Sequence, residues 1–252
     1  MKSIIYILLF LLCCLSSAQN EILFEEGNTF YSNGKYSEAI EKYEAIINKD
    51  QHSAEVYFNL GNAHYKLNHI APSIYYYEMA LQLDPKDKEI KNNLSFAKNM
   101  TIDDIETVPE IGISRFVRNA IKIFSFEIWA YLSVVFMILF VILFMTYYFS
   151  IQSGTKRFSL VSSLVSIILS LVLLVFAYKK ESMDKKYNPA IVFSQESLVR
   201  TDPNLSGEEA FRLHEGTKVQ VLDTVSDWTE IQLVDGKTGW IVSEDIKLLK
   251  KF

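Results

Sequence analysis

Between Glu127 and Lys156 stand 28 consecutive residues without a charged side chain, and 21 more run from Phe158 to Tyr178. A hydrocarbon core about 30 Å thick is crossed by roughly 20 apolar helical residues, so each run is long enough to span it. Trp129 and Tyr131 near one end of the first run, and Tyr147 and Tyr148 near the other, suit the two interfacial aromatic belts. Lys156-Arg157 and Lys179-Lys180 bracket the second run. The connection is short, so the pair reads as a transmembrane α-hairpin, with helices at 127–151 and 158–178. A buried soluble hairpin would match the lengths but not an apolar surface on all sides. Ser162, Ser166 and Ser170 recur at every fourth position, a spacing of small residues that predicts close packing against the first span.

Charge is segregated around this hairpin. Residues 19–107 carry 8 Lys/Arg against 15 Asp/Glu, residues 188–252 carry 7 against 11, and residues 108–187 carry 9 against 4. Neither flanking module presents a basic stripe, so no nucleic-acid partner is expected. Lys2, the apolar stretch Ile4 to Leu15 and Ser16-Ser17-Ala18 match a secretory signal peptide over residues 1–18. Cys13 and Cys14, the only cysteines, fall inside it, so the processed chain would hold no disulfide and no cysteine-based metal site. Two crossings put both modules on one side, and the signal makes that side periplasmic at the inner membrane. The lysines and arginines at the two ends of the hairpin do not decide the matter. In the 101–126 linker, Ile113, Phe116, Val117, Ala120, Ile121 and Phe124 follow helical spacing, with Arg115, Arg118 and Lys122 on the other face. That pattern predicts a basic amphipathic helix lying against membrane lipid, or else packed on the repeat domain.

Offsetting the chain by 34 residues aligns Phe24 with Phe58, Gly27 with Gly61, Asn28 with Asn62, Ala39 with Ser73, Ile40 with Ile74 and Tyr43 with Tyr77. Both the period and the order of small and aromatic positions resemble the tetratricopeptide repeat. The repeat domain is expected over 19–100, with Ile90, Leu94 and Ala97 marking a capping helix. Gly27 and Gly61 allow close helix approach, Asn33-Gly34 makes a turn, and Pro72 is tolerated in a first helical turn. Phe24, Asn28 and Tyr31, repeated as Phe58, Asn62 and Tyr65, lie on one helical face. The family displays these positions on its concave surface, so they form a candidate groove for an extended partner segment; ordinary packing between repeats is the competing explanation.

From Asn188 the pattern changes to short alternating segments. Thr217 to Leu222, Trp228 to Leu233 and Lys237 to Val242 read as strands, with a tight turn at Asp235-Gly236. Glu215-Gly216-Thr217-Lys218-Val219, Asp227-Trp228 and Gly239-Trp240-Ile241, with Leu198 to Pro203 upstream, resemble a bacterial SH3-type domain over 188–252. That resemblance implies a small all-β barrel, with peptidoglycan or protein as ligand. Trp228 and Trp240 are then either a ligand surface or barrel-stabilising side chains.

The expected fold class is therefore multi-domain: an α-helical repeat solenoid, a transmembrane α-hairpin and a C-terminal SH3-like barrel. His52, His64, His69 and His214 show no metal-ligand spacing, and no phosphate loop or nucleophile motif occurs. No enzyme activity, cofactor or metal is expected. The order of modules, with Tyr57 to Ala63 and Ile70 to Glu78 in the repeats, resembles the BatE proteins of Bacteroidetes aerotolerance operons. The resemblance implies membrane-protein partners from such operons, and hence an envelope scaffold acting through its repeats. Peptidoglycan binding or sensing through the SH3-like domain is the alternative.

Overall fold

The computed structural model describes residues 19–106 and 112–249. The expected signal, the stretch 107–111 and the last three residues lie outside the described residues. Two compact bodies divide the chain: everything up to Thr107 together with Asn188 onward, and the intervening Val108–Tyr187.

In the first body, α1 occupies 19–32, followed by α2 (Tyr36–Ile47), α3 (Ala54–Lys66), α4 (Ile70–Leu83) and α5 (Lys88–Lys98). Gly34, with φ +74, makes the α1–α2 turn. The Ser53 hydroxyl caps α3 by accepting from the Val56 N–H at 3.1 Å, and Asp87 caps α5 through the Ile90 N–H at 2.9 Å. A Cβ on Gly27 would lie 2.5 Å from the Tyr43 ring, and one on Gly61 2.6 Å from Tyr77. The repeat glycines thus admit a buried tyrosine ring from the second helix of each pair. Ser73, buried beside Gly61, donates to its carbonyl at 3.0 Å. Ile90, Leu94 and Ala97 are buried on one face of α5, which closes the solenoid.

The β module of this body has seven strands: β1 (Pro189–Val192), β2 (Glu196–Arg200), β3 (Glu209–His214), β4 (Lys218–Val225), β5 (Trp228–Gln232), β6 (Thr238–Val242) and β7 (Ile246–Leu248). They form one antiparallel sheet in the order β3-β2-β6-β5-β4-β1-β7, with bulges at Ala210 in β3 and Leu222 in β4. Val192, Val199, Leu213, Val219, Ile231 and Ile241 fill its core.

The two modules are not separate lobes. Ile191 and Leu249 belong to the helical core, and Phe193 meets the Tyr75 ring edge-on at 5.7 Å. Glu78 of α4 is buried and accepts from Lys98 at 2.9 Å and from Lys218 of β4 at 2.7 Å. Residues 101–106, expected to be linker, strap onto the barrel. Ile105 packs on its core, and Asp103 accepts from the His214 N–H at 2.7 Å and the Thr217 hydroxyl at 2.6 Å.

The second body contains α6 (Ile113–Ile121), α7 (Phe126–Phe149) and α8 (Ser153–Lys186). Both long helices are apolar enough to cross a membrane. Only 11% and 22% of their most apolar windows are buried, which is not how core helices of a soluble domain sit. Their contact corrects the serine pattern. Ser159, Ser163, Ser166 and Ser170 are buried while Ser162 is half-exposed, because spacings of 4, 3 and 4 track a 3.6-residue turn better than repeated fours. Ser133 and Ser170 exchange hydroxyl-to-carbonyl bonds at 2.9 and 2.8 Å, and Ser166 donates to the Phe136 carbonyl at 2.8 Å. Trp129, expected in an interfacial belt, is buried between α6, α7 and α8. Its Nε1–H donates to the Ile121 carbonyl at 3.0 Å, and its ring meets Phe124 and Phe176. Beyond Tyr178, α8 continues eight residues to Lys186, supported by Lys180–Asp184 and Lys185–Glu181 pairs one turn apart.

Gly61→Ala forces the Tyr77 ring aside and is expected to destabilise the first body by about 1–3 kcal/mol. Gly154→Ala on α8, where a Cβ meets nothing within 4 Å, should cost nothing. Thermal unfolding of the full chain followed by circular dichroism distinguishes the two.

Candidate partner-binding groove

The 34-residue period carries a hydrogen-bond unit as well as a packing pattern. Asn28 Oδ1 accepts from the Tyr43 hydroxyl at 2.8 Å and from Asn59 Nδ2 at 3.0 Å. One period later, Asn62 Oδ1 accepts from the Tyr77 hydroxyl at 2.6 Å and from Asn93 Nδ2 at 2.9 Å. Burial, followed by the nearby Tyr31 phenol, pushes the Tyr43 hydroxyl up to about 12 and raises Tyr77 further. Both phenols therefore remain donors in neutral solution. With each Oδ1 doubly engaged, the Nδ2 groups of Asn28 and Asn62 are the amide atoms left to donate outward.

Tyr31, Asn62 and Tyr65 converge on one cavity of about 400 Å³, together with Lys66, Tyr77, Glu89, Asn93 and Phe96. Phe24 instead lines a neighbouring cavity of about 390 Å³ between the N-terminal parts of α1 and α3, with Glu25 and Glu55. The rings of Phe24 and Phe58 lie 5.9 Å from Tyr43 and Tyr77, so both also brace the ladder. Asn59, Asn93 and Phe96 were not singled out from sequence. Extending the same offset would have reached two of them, since 59 leads to 93 and 62 to 96. Phe96 thus stands where the earlier repeats carry asparagine, and its half-exposed ring gives the cavity an apolar wall.

His64 sits where the repeat takes an aromatic residue. Its ring stacks on Tyr76 at 5.3 Å, Nδ1 lies 3.2 Å from His69 Nδ1, and buried Nε2 has no partner. Burial, then the neighbouring His69 and Lys247, lowers its pKa to about 4.

On the β module, Trp228 and Trp240 lie on the face of the β5–β6 hairpin away from the core. Trp228 pairs with Val242 and Glu230 with Trp240, whereas the alternate residues Thr229, Ile231, Gly239 and Ile241 are buried inward. A Cβ on Gly239 would lie 2.5 Å from Val199 Cγ1, which explains a glycine immediately before the tryptophan. Among the described residues no cluster of His, Cys, Asp and Glu could hold a metal ion.

Fold and site define a helical-repeat protein with an SH3-like module and two membrane-length helices. Comparison with family models agrees module by module. A TPR repeat model matches residues 27–68, a tetratricopeptide repeat model 54–87 and a bacterial SH3 domain model 198–247. The search of curated proteins gives no significant match. Tetratricopeptide repeats are protein-interaction modules, and both matched families are typically non-catalytic.

His64 gives the first body a pH signature. A histidine depressed from 6.5 to about 4 by folding contributes stability above pH 6.5 and loses it progressively as pH falls to 4. The full effect is on the order of 3 kcal/mol. His64→Phe keeps the stack on Tyr76 and should flatten that part of the stability–pH profile. Subtracting the two profiles removes the carboxylate contributions common to both proteins.

Proposed function

We propose that this protein is a membrane-anchored scaffold of the cell envelope whose repeats capture an extended segment of a protein partner. The observation that carries the reading is the doubled asparagine ladder. It presents two fixed amide donors, at Asn28 and Asn62, one repeat apart, the second of them lining an aromatic cavity. Such donors suit backbone carbonyls of an extended chain, while Tyr31, Tyr65 and Phe96 offer surface to its side chains. The α7–α8 hairpin inserts into lipid, and both modules of the first body face the periplasm at the inner membrane. The partners are other membrane proteins of the aerotolerance-operon type.

Alanine at Asn28 or Asn62 would strip two donors of their acceptor and damage the fold. Asn28→Asp with Asn62→Asp keeps the acceptor and removes the outward N–H donors. The doubly substituted protein should keep its circular dichroism spectrum but bind its partner about 10–100-fold more weakly, from a loss of roughly 1.5–3 kcal/mol. Unchanged co-purification of a candidate partner would remove the groove from the proposal.

A second reading has one observation in its favour: Trp228 and Trp240 share the outer face of the barrel, where aromatic rings can meet a glycan. Trp228→Ala with Trp240→Ala should abolish co-sedimentation with purified cell wall if that face binds it. Sidedness is tested separately by a reporter fused after Phe252, which should be active only when exported.

A further inference from the structure

Helix α6 is the most sharply two-faced element of the second body, yet its apolar face is largely bare. Ile113 is 83% exposed and Phe116 75%, and Ile123 just beyond the helix is 67% exposed. Arg115, Arg118 and Lys122 occupy the opposite side, with Ser114 and Asn119 completing it. The helix is not loosely attached. Ile121 is buried, its carbonyl accepts from Trp129, and α6 packs on α8. Only the edge carrying Ile121 is used by this contact; the edge carrying Ile113 and Phe116 remains open.

We propose that α6 lies in the plane of a bilayer surface, apolar edge among the acyl chains, and that its cations bind anionic phospholipid headgroups. This rests on the membrane reading of the hairpin above. Two features favour lipid over a protein partner. The bare edge continues through Ile123, Phe124, Phe126 and Ile128 into the exposed apolar surface of α7, so one medium can cover both. Charge is complementary as well: among the described residues Arg115, Lys122 and Lys179 form no ion pair, and α6 contains no acidic residue. An in-plane helix with apolar residues below and cations above is the arrangement that binds anionic interfaces. Lys179 comes into the same region because Trp129, which holds α6, also meets Phe176 of α8.

The test uses the full chain with Cys13 and Cys14 changed to Ser and one fluorescent label at Ala120→Cys, on the apolar edge of α6. It is reconstituted in brominated phosphatidylcholine vesicles, with or without phosphatidylglycerol. Bromine should quench the label, more strongly in the anionic vesicles, and the excess should fade as salt screens the surface. Arg115→Gln with Lys122→Gln should lower the docked-to-undocked ratio in anionic vesicles by roughly 25-fold, about fivefold per cation, and leave phosphatidylcholine unaffected. A separate chain labelled at Val135→Cys, on the exposed surface of α7, reports whether the hairpin itself is in lipid. A quenched Val135 label with an unquenched Ala120 label would overturn the proposal and point to a protein surface over α6. Quenching at Ala120 that ignores both anionic lipid and salt would overturn headgroup recognition. An unquenched Val135 label would sink the membrane reading, and this inference with it.

Discussion

Helix α4 gives little of its surface to solvent. Ala71, Ser73, Ile74, Tyr75, Tyr77, Glu78, Met79 and Ala80 are all buried, and the strip carrying Pro72, Tyr76 and Leu83 is partly exposed. A helix apolar on all sides must be enclosed, and a two-repeat solenoid encloses only part of its second helix. The rest of the cover comes from the barrel: Ile191, Phe193 and Leu249 close on the face carrying Tyr75, and Gly216 approaches Ile70 and Ile74. At Gly216 a Cβ would stand 2.9 Å from Ile74, so this seam depends on a glycine at φ +87. The short solenoid is possible because a module more than a hundred residues later in the chain completes its core.

Polar chemistry fixes the alignment of that seam. Burial opposes the charge on Glu78, but Lys218 and Lys98 outweigh it and hold the carboxyl below its usual range. Lys218 belongs to the barrel and Lys98 to the capping helix, so one carboxylate ties three elements together. Asp103 plays the corresponding part at the strap. Its own desolvation is overcome by donation from Thr217 and from the backbone and ring of His214. A buried ion pair adds little net stability over a well-packed apolar contact, yet loses 3–5 kcal/mol when one partner is removed. Such pairs select one docking geometry more than they strengthen it. The outer barrel face with Trp228 and Trp240 and the cavity beside Asn62 are therefore held in one rigid frame.

Much of this was legible in the residues. The 34-residue offset located the two helix pairs of the solenoid, helical spacing marked α5, and the uncharged runs located the two long helices, because period and run length are one-dimensional quantities. What escaped was set in three dimensions. Ile70 to Leu83 is apolar nearly throughout, which already required a second cover, but periodicity gives no hint that the cover comes from β1 and β7. The groove asparagines were visible as a repeated pair. Their dual role was not, because the orientation of each amide is decided by Tyr43 and Asn59, or by Tyr77 and Asn93. Asn59 and Asn93 stand 31 residues beyond the asparagines they bond, three short of the repeat offset. The serine stripe was misassigned by one position because counting in fours drifts about 40° per step from a 3.6-residue turn.

The shared core is closed by strands that follow the two long helices in the chain. The chain leaves the first body after Thr107 and returns to it at Asn188, and strand β1 begins at once, at Pro189, inside the common core. That body is therefore assembled from two stretches of chain separated in the sequence by α6, α7 and α8. Between those stretches stand α7 and α8, the two described helices long and apolar enough to cross a membrane. The reciprocal bonds between Ser133 and Ser170 hold these two helices side by side, so the outgoing and returning helices of the inserted segment are paired by polar contacts between small residues rather than by a large buried apolar seam.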